Sequence, residues 1–183
     1  MNRQLMAGIT IALVAVLMLF FNRKVNLIRL FIKQLDVFKD ARTGKQSVWD
    51  LLCFFVFPIV IAVLIVFGMP FKITTQLAEV LTTVFSLVFT ILFGFAAVII
   101  EKRESDNTLK KRVVSETFVS IITATALSMF AALFSILIMP IKKDSYVALL
   151  SIIILAISIH IVMLLLMITK RAFVIYCESE QDN

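Results

Sequence analysis

The third long apolar run of this sequence carries polar residues that could contact water or another helix. They recur at steps of three or four residues, so a helix would place them on one face: Glu79, Thr83, Ser86, Thr90 and Gly94. Two interpretations stay open. Small and hydroxylated residues let membrane helices approach and hydrogen-bond. The same face could also form the wall of a water-filled pore, with Glu79 at its mouth.

His160 is the only histidine, and it lies near the middle of the fifth apolar run. An imidazole at this depth can hydrogen-bond to a neighbouring helix, or it can line a water path and titrate. Helix packing is the first expectation for His160, and a pore or sensor role is the second. No metal site is expected, because Cys53 and Cys177 are the only cysteines and neither has metal-ligand spacing to this histidine.

No pattern in the sequence indicates catalysis. The apolar runs contain no central Asp, Glu, Lys or Arg, which argues against a proton-coupled transporter or an intramembrane carboxylate enzyme. Asp50, Glu79 and Glu116 fall at predicted helix starts, where the helix dipole favours negative charge. No Ser-His-Asp set, glycine-rich phosphate loop or dinucleotide fingerprint is present. We therefore expect no enzymatic activity, no catalytic residue and no cofactor.

The elements that must position these residues are membrane-spanning helices. Of the 183 residues, 61% are hydrophobic and 16% are charged, whereas a soluble domain is nearer half apolar and about a quarter charged. The mean hydropathy is +1.05. A lipid bilayer can cover this much apolar surface, and within it the backbone must hydrogen-bond internally. The prediction is an all-α, polytopic transmembrane bundle that forms a single membrane domain over residues 1–183.

Five apolar runs are long enough to span a bilayer, and they cover residues 5–21, 48–68, 77–100, 117–139 and 146–169. The first is the shortest. No small-residue cleavage site follows it, so a retained span or signal anchor is expected rather than a cleaved signal peptide. Pro58 should kink the second span. The fourth predicts a helix-packing face, because Ala124, Ser128 and Ser135 have the spacing of small residues at helix contacts.

Three polar segments connect or follow these runs. Residues 22–47 predict an amphipathic helix and a turn, because Ile28, Phe31 and Leu35 recur at helical spacing, away from the charged residues. This helix would lie on the bilayer surface or dock on the other helices. Residues 101–116 are expected to form a charged loop, and residues 170–183 a polar tail.

The basic residues indicate the orientation. Fourteen of the 18 lie in the segments 22–47, 101–116 and 170–183, which five spans would place on one side; Arg3, Lys72, Lys142 and Lys143 lie on the other. The positive-inside rule then puts the N-terminus outside and the C-terminus in the cytoplasm. The bias towards Ile, Phe and Lys favours a bacterial plasma (inner) membrane. Because topology accounts for the net charge of +6, no nucleic-acid partner is expected.

Three classes of function follow from these features. The favoured one is an oligomeric membrane subunit or anchor that engages a cytoplasmic or membrane protein. Basic residues would contact that partner or lipid headgroups: Arg23, Lys24, Arg29, Lys33, Lys102, Arg103, Lys110, Lys111 and Arg112. The alternative is a channel or pore-forming effector, for example of a bacterial toxin or phage-defence system, with the polar face and His160 lining its path. A small-solute carrier is least favoured, because Pro58 has no matching break in the fourth span.

Overall fold

The computed structural model describes residues 27–38, 48–101 and 108–181, and these residues form five helices without a strand. The helices are α1 (Leu27–Asp36), α2 (Val48–Gly68), α3 (Thr75–Glu101), α4 (Thr108–Ile138) and α5 (Asp144–Gln181). Helices α2 to α5 are long and apolar enough to cross a membrane. The prediction of an all-helical chain with membrane-spanning helices is confirmed to that extent. The first apolar run, 5–21, lies outside the described residues, so a span there stays a prediction.

The helix bounds differ from the apolar runs mainly at charged segments. Helix α2 matches the predicted span, and α3 adds a residue or two at each end. Helix α4 begins at Thr108 rather than at residue 117, and α5 continues to Gln181, through the segment expected to be a polar tail. Neither extension contains Gly or Pro, and Leu, Lys, Arg, Glu and Gln are good helix formers. Hydropathy marks where lipid can surround a helix, and it does not mark where the helix ends.

Helix α4 occupies the centre of the described bundle. It packs against α3 on one side, against α5 on another and against α1, while α2 packs on α5. More than half of its apolar window, 56%, is buried, compared with 17% for α2. Helix α2 is followed directly by α3 in the chain but packs on α5. Neighbouring helices in the bundle are therefore not always consecutive in the chain.

The core between these helices is built on a seven-residue spacing. Ala78, Phe85 and Leu92 of α3 are seven residues apart and all are buried. On α4, Ala124 and Ala131 share that spacing and are fully buried. A seven-residue repeat keeps one face towards a neighbour when helices cross at a shallow left-handed angle. Alanine at the contact lets the backbones approach closely, as is common between membrane helices.

The two ends of the bundle differ in character. At the end that holds the α2–α3 and α4–α5 turns, Lys72 Nζ lies 3.2 Å from Asp144 Oδ2. There the backbone N–H of Ile73 also donates to Ser151 Oγ, at 3.1 Å, which ties the α2–α3 turn to α5. We call this the turn end. The opposite end, where α3 and α5 finish and α4 begins, is called the basic end. Helix α1 lies there, since Lys33 and Ser115 line one cavity.

Candidate functional site

The most specific polar contact within the described spans joins α2 to α5. Pro58 has no N–H, so the carbonyl of Phe54, four residues earlier, lacks its usual intrahelical donor. The segment just before Pro58, Leu52–Val56, is a π-helix, which is a common local adjustment at such positions. The Nδ1 atom of His160 lies 2.6 Å from the Phe54 carbonyl oxygen. The histidine therefore takes the place of the amide hydrogen that proline removes.

The partner of His160 determines which nitrogen of its ring carries the hydrogen. A carbonyl oxygen can only accept, so Nδ1 of His160 must donate and carries the hydrogen. The imidazole is 8% exposed and also packs against the ring of Phe55, with centroids 4.9 Å apart. In a single chain, His160 thus acts as a link between two helices. Its predicted role in a pore concerns an assembly of chains and stays a prediction.

The polar face predicted on α3 lies on the outside of the single chain. Its five members, Glu79, Thr83, Ser86, Thr90 and Gly94, are all exposed, whereas Phe85 and Leu92 point into the bundle. The three hydroxyl groups donate to backbone carbonyls four residues earlier, at 2.8–3.1 Å. A methyl group added at Gly94 would meet nothing within 4 Å. This face is therefore free to contact lipid or another molecule.

The buried hydroxyl groups belong to α4. Six of its Ser and Thr residues are buried: Thr117, Ser120, Thr123, Thr125, Ser128 and Ser135. Each donates to a carbonyl of its own helix, three or four residues earlier, at 2.7–3.0 Å. Sequence reasoning recognised part of this face as a packing surface through its small residues. The bonds within the helix let these polar groups sit in a dry contact.

Charged side chains form a bridge between α4 and α5 at the basic end. Glu116 accepts from Arg112 Nε at 2.9 Å through one oxygen, and its other oxygen lies 3.3 Å from Arg171 Nη2. The side chains of Glu116 and Arg171 are only about a quarter exposed or less, so solvent screens this pair weakly. Sequence reasoning counted Arg171 only as a topology signal. A carboxylate one turn after Arg112 was the available clue to the intrahelical half of this bridge.

The other predicted contact residues divide into two groups. Arg29 and Lys33 are exposed on α1, and Lys111 and Arg112 are exposed on α4. Lys110 belongs to the first turn of α4. Four predicted contacts lie outside the described residues: Arg23, Lys24, Lys102 and Arg103. The structure therefore brings at least part of the basic set to one end of the bundle.

Two cavities open beside α4 near the basic end. The larger, about 500 Å³, lies between α3, α4 and α5, and its lining is apolar except for Thr117 and Thr169. The smaller, about 300 Å³, lies between α1, α3 and α4, and Lys33 and Ser115 contribute to its wall. Within the described residues, no group of three or more His, Cys, Asp or Glu side chains could hold a metal ion.

No protein-family model matches the chain, and no curated protein or solved structure matches it.

Proposed function

We propose that this protein is a non-enzymatic subunit or anchor of a bacterial inner-membrane assembly, which engages a protein partner at its cytoplasmic face. It spans the membrane five times, through residues 5–21 and helices α2 to α5. The N-terminus is outside and the C-terminus is cytoplasmic, so the basic end faces the cytoplasm. Homo-oligomerisation, through the exposed polar face of α3, is part of this proposal.

The observation that carries the proposal is the length of α4 and α5 at the basic end. They have 31 and 38 residues, whereas about 20 residues cross a bilayer. At about 1.5 Å per residue, the segment from Lys170 to Gln181 extends about 18 Å beyond the apolar run. The Glu116 bridge joins the bases of both extensions, so the two helices are held together where they expose basic residues such as Lys111 and Lys170 to a partner.

The polar groups inside the spans favour anchoring over chemistry. His160 is held by the Phe54 carbonyl, and the buried hydroxyl groups of α4 donate to their own helix. A group that must donate its hydrogen to a substrate has to leave such bonds, at a cost of about 1 kcal/mol each. The charged groups that need no such release lie at the ends of the bundle, where a partner in water can reach them.

Photocrosslinking in cells tests the partner. A photoreactive amino acid is placed at Lys111, which is exposed at the basic end, and as a matched control at Lys142, which is exposed at the turn end. We expect a discrete adduct with another protein from position 111 and none from position 142. Adducts from neither position, or equal adducts from both, would contradict a partner at the basic end.

A channel is the second candidate, and the exposure of the α3 polar face is the observation that favours it. Several copies arranged around this face would surround a path lined by hydroxyl groups. Ion flux through liposomes that contain the purified protein tests this function. A pore predicts conductance that changes in Thr90→Val, because Thr90 would face the path. A bilayer that stays tight under voltage and pH gradients would contradict the channel.

A further inference from the structure

The cavity of about 300 Å³ between α1, α3 and α4 is lined mainly by apolar side chains and also by one lysine. Its floor is formed by side chains from three helices, among them Leu30, Ile99, Phe118 and Val119. Its wall also includes Lys33, an exposed lysine of α1. A cavity of this size lies at the lower end of those that hold small ligands.

Lys33 is the one charged residue among the described residues that line this cavity. Lys33 forms no ion pair with any residue that the structure describes. Lys111, exposed on α4, lies four residues before Ser115, and residues four apart share a helix face. Lys111 therefore lies on the same face of α4 as part of the cavity wall, although it does not itself line the cavity. An apolar ligand alone would leave the Lys33 ammonium group without an anionic partner.

We propose that this cavity binds an anionic phospholipid, with part of an acyl chain on the apolar floor and the phosphate at Lys33. The fit rests on charge complementarity, because basic groups near the membrane surface attract anionic headgroups. Each lysine strengthens this binding about fivefold. Amphipathic helices that lie along a bilayer offer this arrangement, since their apolar face meets acyl chains and their lysines meet headgroups. The residues that line this site differ from those proposed to meet a protein partner, which would bind the projecting ends of α4 and α5.

Lipid retention measured by native mass spectrometry tests the site. The full chain is placed in bilayer nanodiscs that contain equal amounts of phosphatidylglycerol and phosphatidylcholine, and is then released into detergent. We expect one phosphatidylglycerol molecule to be retained in preference to phosphatidylcholine. Lys33→Ala should lower this preference about fivefold, which corresponds to the loss of one lysine near an anionic surface.

A second variant separates the acyl-chain half of the site from its charge. Val119→Phe fills the apolar floor, so the retained lipid should be lost although every lysine remains. Lys142→Ala at the turn end is the matched charge control and should retain the lipid. The melting temperature of each variant in detergent shows that it is folded. Millimolar inorganic phosphate should not displace the lipid, because it lacks the acyl chain.

Three results would overturn the proposal. The first is equal retention of the two lipids by the wild-type chain. The second is unchanged retention in folded Lys33→Ala and Val119→Phe variants. The third is complete displacement by inorganic phosphate, which would reduce the site to an anion contact at the surface.

Discussion

His160 should stabilise the bundle mainly because Pro58, on the neighbouring helix, leaves the Phe54 carbonyl without an amide donor. In the wild-type chain, His160→Leu leaves the Phe54 carbonyl without the donor at 2.6 Å and without an amide hydrogen from Pro58. An unsatisfied buried acceptor costs about 1–3 kcal/mol. Hydrogen bonds between membrane helices are worth about 0.6 kcal/mol on average and at most about 1.7. We therefore expect His160→Leu to lower the free energy of unfolding by about 1–2 kcal/mol.

A double-mutant cycle isolates the bond from the packing of the ring. Pro58→Ala restores an N–H that can donate to the Phe54 carbonyl, so His160→Leu in that background should cost less than about 0.5 kcal/mol. The coupling between positions 58 and 160 is then about 1 kcal/mol. Reversible unfolding in mixed micelles of increasing denaturing detergent measures these values. Ser158→Ala is the control, because that hydroxyl donates to Ile154 of its own helix and should not couple to position 58.

An equal cost of His160→Leu in both backgrounds would refute this reasoning. The histidine would then stabilise the bundle through its contact with Phe55, and the proton would play no part.

Three further predictions concern packing and charge. Ser128→Leu should cost more than about 2 kcal/mol of stability and Gly94→Leu less than about 0.5, because Ser128 is fully buried in α4 while Gly94 faces outwards; equal costs in detergent unfolding would contradict this. Glu116→Gln should lower stability by about 1–2 kcal/mol, because Arg171 then loses its half-buried partner; no loss at low salt would count against the bridge. Lys72→Ala should change stability by less than about 0.5 kcal/mol, because its pair with Asp144 is exposed; a larger loss would show that this pair holds the turn end.

The spans α2 to α5 could be predicted from hydropathy, because a helix surrounded by lipid must be apolar. Helix α2 runs over the predicted residues 48–68, and its apolar sequence is bounded by Trp49 and Asp50 at one end and Pro70 at the other. The ends of α4 and α5 were not predictable in this way. Charged residues such as Lys111 and Lys170 lie beyond the apolar runs but are still helical. Neither segment contains a Gly or Pro that would end the helix.

Periodicity predicted which residues share a helix face, but it could not predict what each face contacts. Periodicity placed Thr83 and Thr90 on one side of α3, but it cannot tell lipid from protein when both are apolar. The same limit applies to Ser128 of α4, which is buried by the central position of its helix.

The partner of His160 had a signal in the sequence. Pro58 removes a specific amide hydrogen, which frees the Phe54 carbonyl, and His160 is the only histidine that could supply a donor. Only the packing of α2 on α5 joined the two, because these residues are separated by two intervening helices in the chain.

The orientation of the chain carries the central claim, and labelling of single cysteines tests it most directly. In a background with Cys53→Ser and Cys177→Ser, a membrane-impermeant maleimide is applied to intact cells and to permeabilised cells that carry Lys142→Cys, Lys111→Cys or Asn2→Cys. We expect positions 142 and 2 to react in intact cells and position 111 only after permeabilisation. Labelling of position 111 in intact cells, or protection of position 142, would contradict a cytoplasmic basic end. Protection of position 2 alone would contradict a span over residues 5–21.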